Sequence, residues 1–240
     1  MSVEIMNNTD IPPIWISVSN RQNDINPSGF KYTEITTKKD LEDSFKYDHL
    51  FSEVRNGYRE DKNFNQTEIL WADIDNKGIS DEKDFVTIEK FQERFKDYKW
   101  ILYTSKSHQI EKDGESPRDK FHVMFPLDST VKNGEEVKEL HNKLYESWKD
   151  DNGKSIFDTS VTNPSSFFFG TEKCGERTEY NLENKKCITQ YIGSLNKTNK
   201  TDNQITSSIG NTVGSSWGTS GNRNNDLTSI GGTFKNRYNL

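Results

Sequence analysis

At 240 residues the chain is long enough for one real core, with residues left over for a smaller element. A mean hydropathy of −0.97 and only 30% hydrophobic residues, set against 12% aromatic, concentrate the apolar content in one ordered region and leave the rest to loops or tail. A net charge of −6 excludes a globally basic nucleic-acid binder, so any such contact needs a local patch.

No run reaches the roughly 20 apolar residues of a membrane span, and the opening residues lack the charged-then-apolar layout of a secretion signal, so a cytosolic protein is expected. Cys174 and Cys187 stand apart from any second Cys/His pair at metal spacing, which argues against structural zinc and for two free thiols.

Residues 14–19, "IWISVS", alternate with period two and predict a strand; 38–54 predict a helix; 67–75, "TEILWADID", a buried strand. A helix is expected near 84–97, with Ile88, Phe91 and Phe95 on one face, followed by strands at 99–105 and 121–127. A second long helix is expected over 134–149, its stripe formed by Val137, Leu140, Leu144 and Trp148. After it come the segment 155–161, with Asp158 ending an apolar run, and a short strand at 166–170, "SFFFG". Strands and helices mixed in this way predict an α/β or α+β domain with a central sheet over residues 1–193.

From 194 to 225 the chain is dominated by Ser, Thr, Asn and Gly and reads as a flexible linker. Residues 226–240 offer Asp226 as an N-cap with Leu227, Ile230 and Phe234 at helical spacing, one amphipathic helix that cannot make a core alone.

Two aspartates one residue apart, Asp73 and Asp75, share a side of their strand, roughly 7 Å apart at Cα, and can converge on one cation. Asp-Ile-Asp-Asn-Lys-Gly also reads as a strand end followed by a turn. Between the next two strands, "YTSKSHQIEKDGESPRDKFHVMFPL" places His108, Arg118, Lys120 and His122 around a polar loop that suits polyphosphate; Lys106 and Lys112 read as solvent-exposed. His122 has a second reading as a satisfied sheet histidine, and Asp158 one as an N-cap or Asx turn. In "VRNGYREDKNF", Arg55, Tyr58, Arg59 and Lys62 have the types to meet a phosphate backbone and stack a base, or to form a solvated charged loop.

The order of these parts, D-x-D on an apolar strand, "TS" and a loop running into "KFHVMFPL", then an apolar-Asp before "NPSSFFFG", resembles the archaeo-eukaryotic primase superfamily, specifically the primase-polymerase domains of phages and plasmids. The resemblance spans roughly residues 50–175, and "GNRNNDLTSIGGTF" is similar to the start of the helical primase C-terminal domain that follows such domains, often ahead of a helicase. It implies an α+β catalytic domain with a central RRM-like sheet, antiparallel or mixed, flanked by helices. It implies a nucleotidyltransferase, working in the cytoplasm of a bacterial host, that makes or extends primers on single-stranded DNA from NTPs or dNTPs with Mg2+ or Mn2+.

On that resemblance Asp73, Asp75 and Asp158 hold the metals and His122 contacts the nucleotide phosphates. Lys120 stands where the family has a small residue. Phage relatives that read T-S-x-S-H match Thr104 to His108 instead, so His108 stays open as the phosphate ligand. Arg118 and Lys120 would add charge against the triphosphate, and Arg55, Tyr58 and Arg59 would meet the template. The rivals are a metal-dependent nuclease, a replication-initiator endonuclease, for which "FHVMF" supplies one histidine where two are usual, and a non-catalytic nucleic-acid-binding module.

Overall fold

Alternating apolar residues build the sheets of the computed structural model, which describes residues 10–79, 81–112 and 114–193. In chain order the elements are β1 (Asp10–Val18), β2 (Lys31–Thr37), α1 (Lys38–Ser44), β3 (His49–Leu50), β4 (Ser52–Val54), β5 (Phe64–Ile74), α2 (Ile88–Arg94), β6 (Trp100–Thr104), β7 (Phe121–Val131), α3 (Gly134–Glu146) and β8 (Thr178–Asn181). Strands β2-β1-β3 form one sheet and β4-β5-β7-β6-β8 a second, and every pairing is antiparallel. The architecture is α+β.

Period two gives the larger sheet two apolar faces. Ile69, Trp71, Ile101, Tyr103 and Met124 point to the side shared with Ile14, Ile16, Phe45 and Phe51. Leu70, Ala72, Ile74, Leu102, Val123 and Phe125 point to the other, where Ile88 and Phe91 of α2, Phe95 and Leu144 of α3 cover them. Fully burying each of these large side chains contributes about 1.5–3 kcal/mol.

Caps set the helix starts: Thr37, Thr87 and Asn133 each accept a hydrogen bond from a backbone N–H of the first turn. The helix expected over 38–54 ends early, at Ser44, and its second half becomes β3 and β4. The reason is Asp48, fully buried, whose carboxylate accepts from Asn23 N and Gly170 N at 2.8 Å and from Asp24 N at 2.9 Å. His49 also exchanges backbone hydrogen bonds with Phe168, at 3.0 and 2.7 Å. These partners lie far away in sequence, and together they override the local helical pattern.

The strand expected at 166–170 is reduced to that single His49–Phe168 bridge, and 155–161 closes into a 3-10 turn over Thr159–Val161. Gly170 is obligatory, because a Cβ there would stand 2.0 Å from the carbonyl carbon of Tyr47. β2 and β8 were not expected from the pattern; they are edge strands with few buried positions. Both cysteines are buried free thiols. The linker over 194–225 and the helix over 226–240 lie outside the described residues. Among the described residues no helix is long and apolar enough to cross a membrane.

Two interior histidines make stability depend on pH. Nδ1 of fully buried His49 donates to Tyr47 O at 2.7 Å, so its Nε2 accepts from the Tyr103 hydroxyl at 2.6 Å and the ring is neutral. Burial pushes its pKa from 6.5 down to about 3, the His122 charge adding to the effect against the Tyr47 hydrogen bond; burial also pushes His141 down to about 4. The unfolded chain protonates both near 6.5 and the folded one does not, so stability is full at pH 7 and falls as pH drops below about 6.5. Each histidine costs about 1.4 kcal/mol per pH unit until its folded pKa is reached. Urea unfolding at pH 7, 6 and 5 is expected to show this loss, and a His141→Leu chain a shallower one. A flat profile would contradict the buried neutral rings.

Candidate active site

The register between β5 and β7 sets Asp73 directly opposite His122, and the register between β6 and β7 sets Tyr103 on the other side of His122. Residues directly opposite one another share a face, so Asp73, His122 and Tyr103 form one row across three strands. His122 Nδ1 stands 3.1 Å from Asp73 Oδ1. The imidazole rests on the Tyr103 ring at 5.0 Å and against the edge of Phe168 at 4.5 Å. Tyr103 is in turn stacked on Phe45 at 3.7 Å and tied by its hydroxyl to His49, so the floor beneath the histidine is rigid.

One step toward the sheet's end, Lys120 Nζ stands 2.9 Å from Asp75 Oδ1. The two pairs leave their side chains between 11% and 30% exposed, at the mouth of the sheet rather than inside it. Both contacts lie at ion-pair distance, and in neither is the angle that of a hydrogen bond: Asp75 Oδ1 and His122 Nδ1 are buried atoms with no hydrogen bond of good geometry among the described residues.

The turn after Asp75 is stitched down by Asn76, in the left-handed region at φ 54. Its side chain accepts from Val86 N at 2.8 Å and donates to Val86 O at 3.0 Å and Asp119 O at 2.8 Å. A short polar side chain tolerates that backbone conformation and supplies the three bonds in one residue.

Arg118 completes this support, which corrects its expected place among the phosphate ligands. Its guanidinium, 4% exposed, donates to Asn76 O at 2.8 Å, Ile79 O at 3.3 Å and Ser116 O at 3.0 Å and lies over the Phe85 ring. Those donors are spent on backbone carbonyls and none is offered to a ligand. His108 takes a similar part: its Nδ1 accepts from Lys120 N at 3.2 Å, shaping the loop that carries Lys120.

Asp158 stands next to Asp73 through its backbone, and not at the strand end expected for it. Its backbone N–H donates to Asp73 O at 2.8 Å, and Trp71 Nε1 donates to Val161 O at 2.8 Å, so the segment is stapled along the open edge of β5. One carboxylate oxygen caps the 3-10 turn by accepting from Ser160 N at 2.8 Å. Tyr145 of α3 lies in the field of the same two acids. Burial first, then the Asp158 and Asp73 charges, push its pKa upward, and its buried hydroxyl has no hydrogen-bond partner among the described residues.

The donor set is of the kind a hard divalent cation takes, carboxylate oxygens only, with Asp75 Oδ1 buried and held by Lys120 alone among the described residues. Among the described residues, no three of His, Cys, Asp and Glu converge closely enough to hold a metal ion, and His122 and Lys120 sit against the two strand carboxylates instead.

Of the template residues expected, Arg55 and Tyr58 are exposed. Arg59 lies over the Phe167 ring at 4.0 Å, and Lys62 pairs with Glu60. Lys106, expected in solvent, is half-buried with its ammonium over Phe169 at 4.3 Å. The sequence pattern passed over Tyr145, Phe167 and Phe169. The aromatic run of 167–169 was a signal, but which rings face outward depends on the distant bridge to His49.

No family model and no curated protein matches the chain. Among solved structures it is similar to the AEP domain of the primase-polymerase of cyanophage S-2L, at 14% identity and a TM-score of 0.38, over 76% of this chain and 87% of that one. At that distance the chemistry has to be read from the side chains themselves.

Arg118→Ala is expected to lower unfolding stability by about 3 kcal/mol, since it strips buried carbonyls of a charged donor. Urea denaturation measures the loss. A phosphate ligand would instead show weakened nucleotide binding at unchanged stability.

Proposed function

We propose that the chain is a metal-dependent nucleotidyltransferase that adds nucleotides to a strand paired with a single-stranded template. The observation that carries this reading is the double row at the mouth of the larger sheet, Asp73 against His122 and Asp75 against Lys120. Carboxylates interleaved with a histidine and a lysine in this way suit a reaction in which divalent cations and a triphosphate must be held side by side. A nuclease needs the acids, but it has less use for the His122 and Lys120 nitrogens beside them.

Asp73 and Asp75, with Asp158 beside them, would hold Mg2+ or Mn2+. When bound, such ions activate a 3′-hydroxyl and neutralise charge on the phosphates during in-line attack at the α-phosphate, with pyrophosphate leaving. His122 and Lys120 then have the second task. With the carboxylates engaged, their N–H groups are released to triphosphate oxygens, as charge-assisted donors fixed by the sheet. The firm seat of His122 on Tyr103 and Phe168 supports its choice over His108, whose Nδ1 is already committed to Lys120 N. The nucleotides would be NTPs or dNTPs and the template single-stranded DNA.

A primer-extension assay on single-stranded DNA, run with labelled NTPs and dNTPs and with Mg2+ or Mn2+, tests this directly. Asp73→Asn and Asp75→Asn are each expected to cut incorporation on the order of a hundredfold or more. His122→Ala is expected to raise the nucleotide KM about tenfold, the value of one charge-assisted hydrogen bond. Strand cleavage without nucleotides would replace the transferase with a nuclease, and full activity in the aspartate variants would overturn the site.

A further inference from the structure

Beside the catalytic row, residues 166–170 carry three consecutive phenylalanines, and strand alternation separates their roles. Phe168 is buried and turned onto His122. Phe167 and Phe169 are half-buried, with ring centroids 4.8 Å apart and planes at 66°. A cation caps each of them, Arg59 at 4.0 Å and Lys106 at 4.3 Å, making a row in the order Arg59, Phe167, Phe169, Lys106.

The row is built rather than accidental. Arg59 follows a loop in which Asn56 and Gly57 are both left-handed. A Cβ on Gly57 would stand 2.9 Å from Phe30 O, so the close approach that presents Tyr58 and Arg59 requires glycine. Arg59 also donates to Ile25 O at 3.4 Å and Lys106 to Asn23 Oδ1, which ties both cations to the loop that Asp48 holds through Asn23 N and Asp24 N. Among the described residues, neither cation has a carboxylate at ion-pair distance, as is also the case for Arg55 beside them. On a chain of net charge −6, these two positive charges are left uncompensated.

We propose that the row Arg59–Phe167–Phe169–Lys106, extended at its Arg59 end by exposed Tyr58 and Arg55, is a track for a single-stranded nucleic acid. Unpaired bases stack on aromatic rings and on the plane of a guanidinium, while the N–H edges of the same cations take the phosphates. A duplex hides its base faces from such a row. The track deepens the reading above, since it would deliver a template strand to the carboxylates past Phe168, but its binding requires neither metal nor nucleotide.

The test is therefore fluorescence anisotropy with labelled oligothymidine in EDTA and without nucleotides, on the full chain. Phe167→Leu/Phe169→Leu is expected to weaken binding about tenfold or more, the loss of aromatic stacking for one or more bases. Arg59→Gln/Lys106→Gln is expected to reduce the slope of log affinity against log salt by about 1.4, two phosphate contacts at about 0.7 each for a single strand. Thermal unfolding checks that both variants fold, and the second keeps the test open if the leucine pair does not. Wild-type binding in a folded double variant, or equal competition by duplex of the same length, overturns the track. Oligothymidine binding by a wild-type chain that incorporates no nucleotide sinks the transferase reading alone.

Discussion

Everything proposed for this chain depends on the register of β5 against β7. Because side chains alternate faces with period two, a slip of one residue would send Asp73 into the phenylalanine-rich core and bring Ile74 to the mouth of the sheet. The slip is forbidden by the packing on both faces at once. Leu70, Ala72 and Ile74 must lie with Phe91 and Phe121, while Ile69 and Trp71 must lie with Phe51 and Met124. A strand buried on both faces therefore does more than hold the fold together: it fixes which carboxylate meets which side-chain nitrogen.

A register places the row, but buried polar clamps make it rigid. Asn76 and Arg118 hold the turn after Asp75, and Asp48 gathers Asn23, Asp24 and Gly170 around one carboxylate. Such groups are costly to desolvate and are kept where every donor and acceptor is used, as nearly all of theirs are. The result is a set of loops whose backbone cannot drift, carrying side chains that remain free to change partners.

That division explains what the sequence made legible and what it did not. The central strands, their alternation and the Asp73–Asp75 spacing could be read because they depend on neighbours one to four residues away. The helix expected over 38–54 could not, since Leu41 and Phe45 do sit at helical spacing and only distant partners of Asp48 and His49 show where it stops. Arg118 looked like a phosphate ligand because type and position agree; its burial under Phe85 appears only when the turn after β5 is built around it. Tyr145 sat outside the expected apolar stripe of its helix, and nothing local marks a hydroxyl that burial and the charges of two acids from elsewhere in the chain hold protonated.

The three phenylalanines bring these threads together. Phe168 braces His122 from within, and on either side of it Phe167 and Phe169 carry the cations of the outer row. One extended stretch, pinned by His49 at its middle and by Asp48 at Gly170, would thus be both wall to the proposed catalytic row and floor to the proposed track. A strand seated on the outer rings would press on the same backbone that seats the histidine. On the proposed reading, template binding and phosphate contact would draw on three consecutive rings, Phe168 against His122 and its two neighbours beneath the cations.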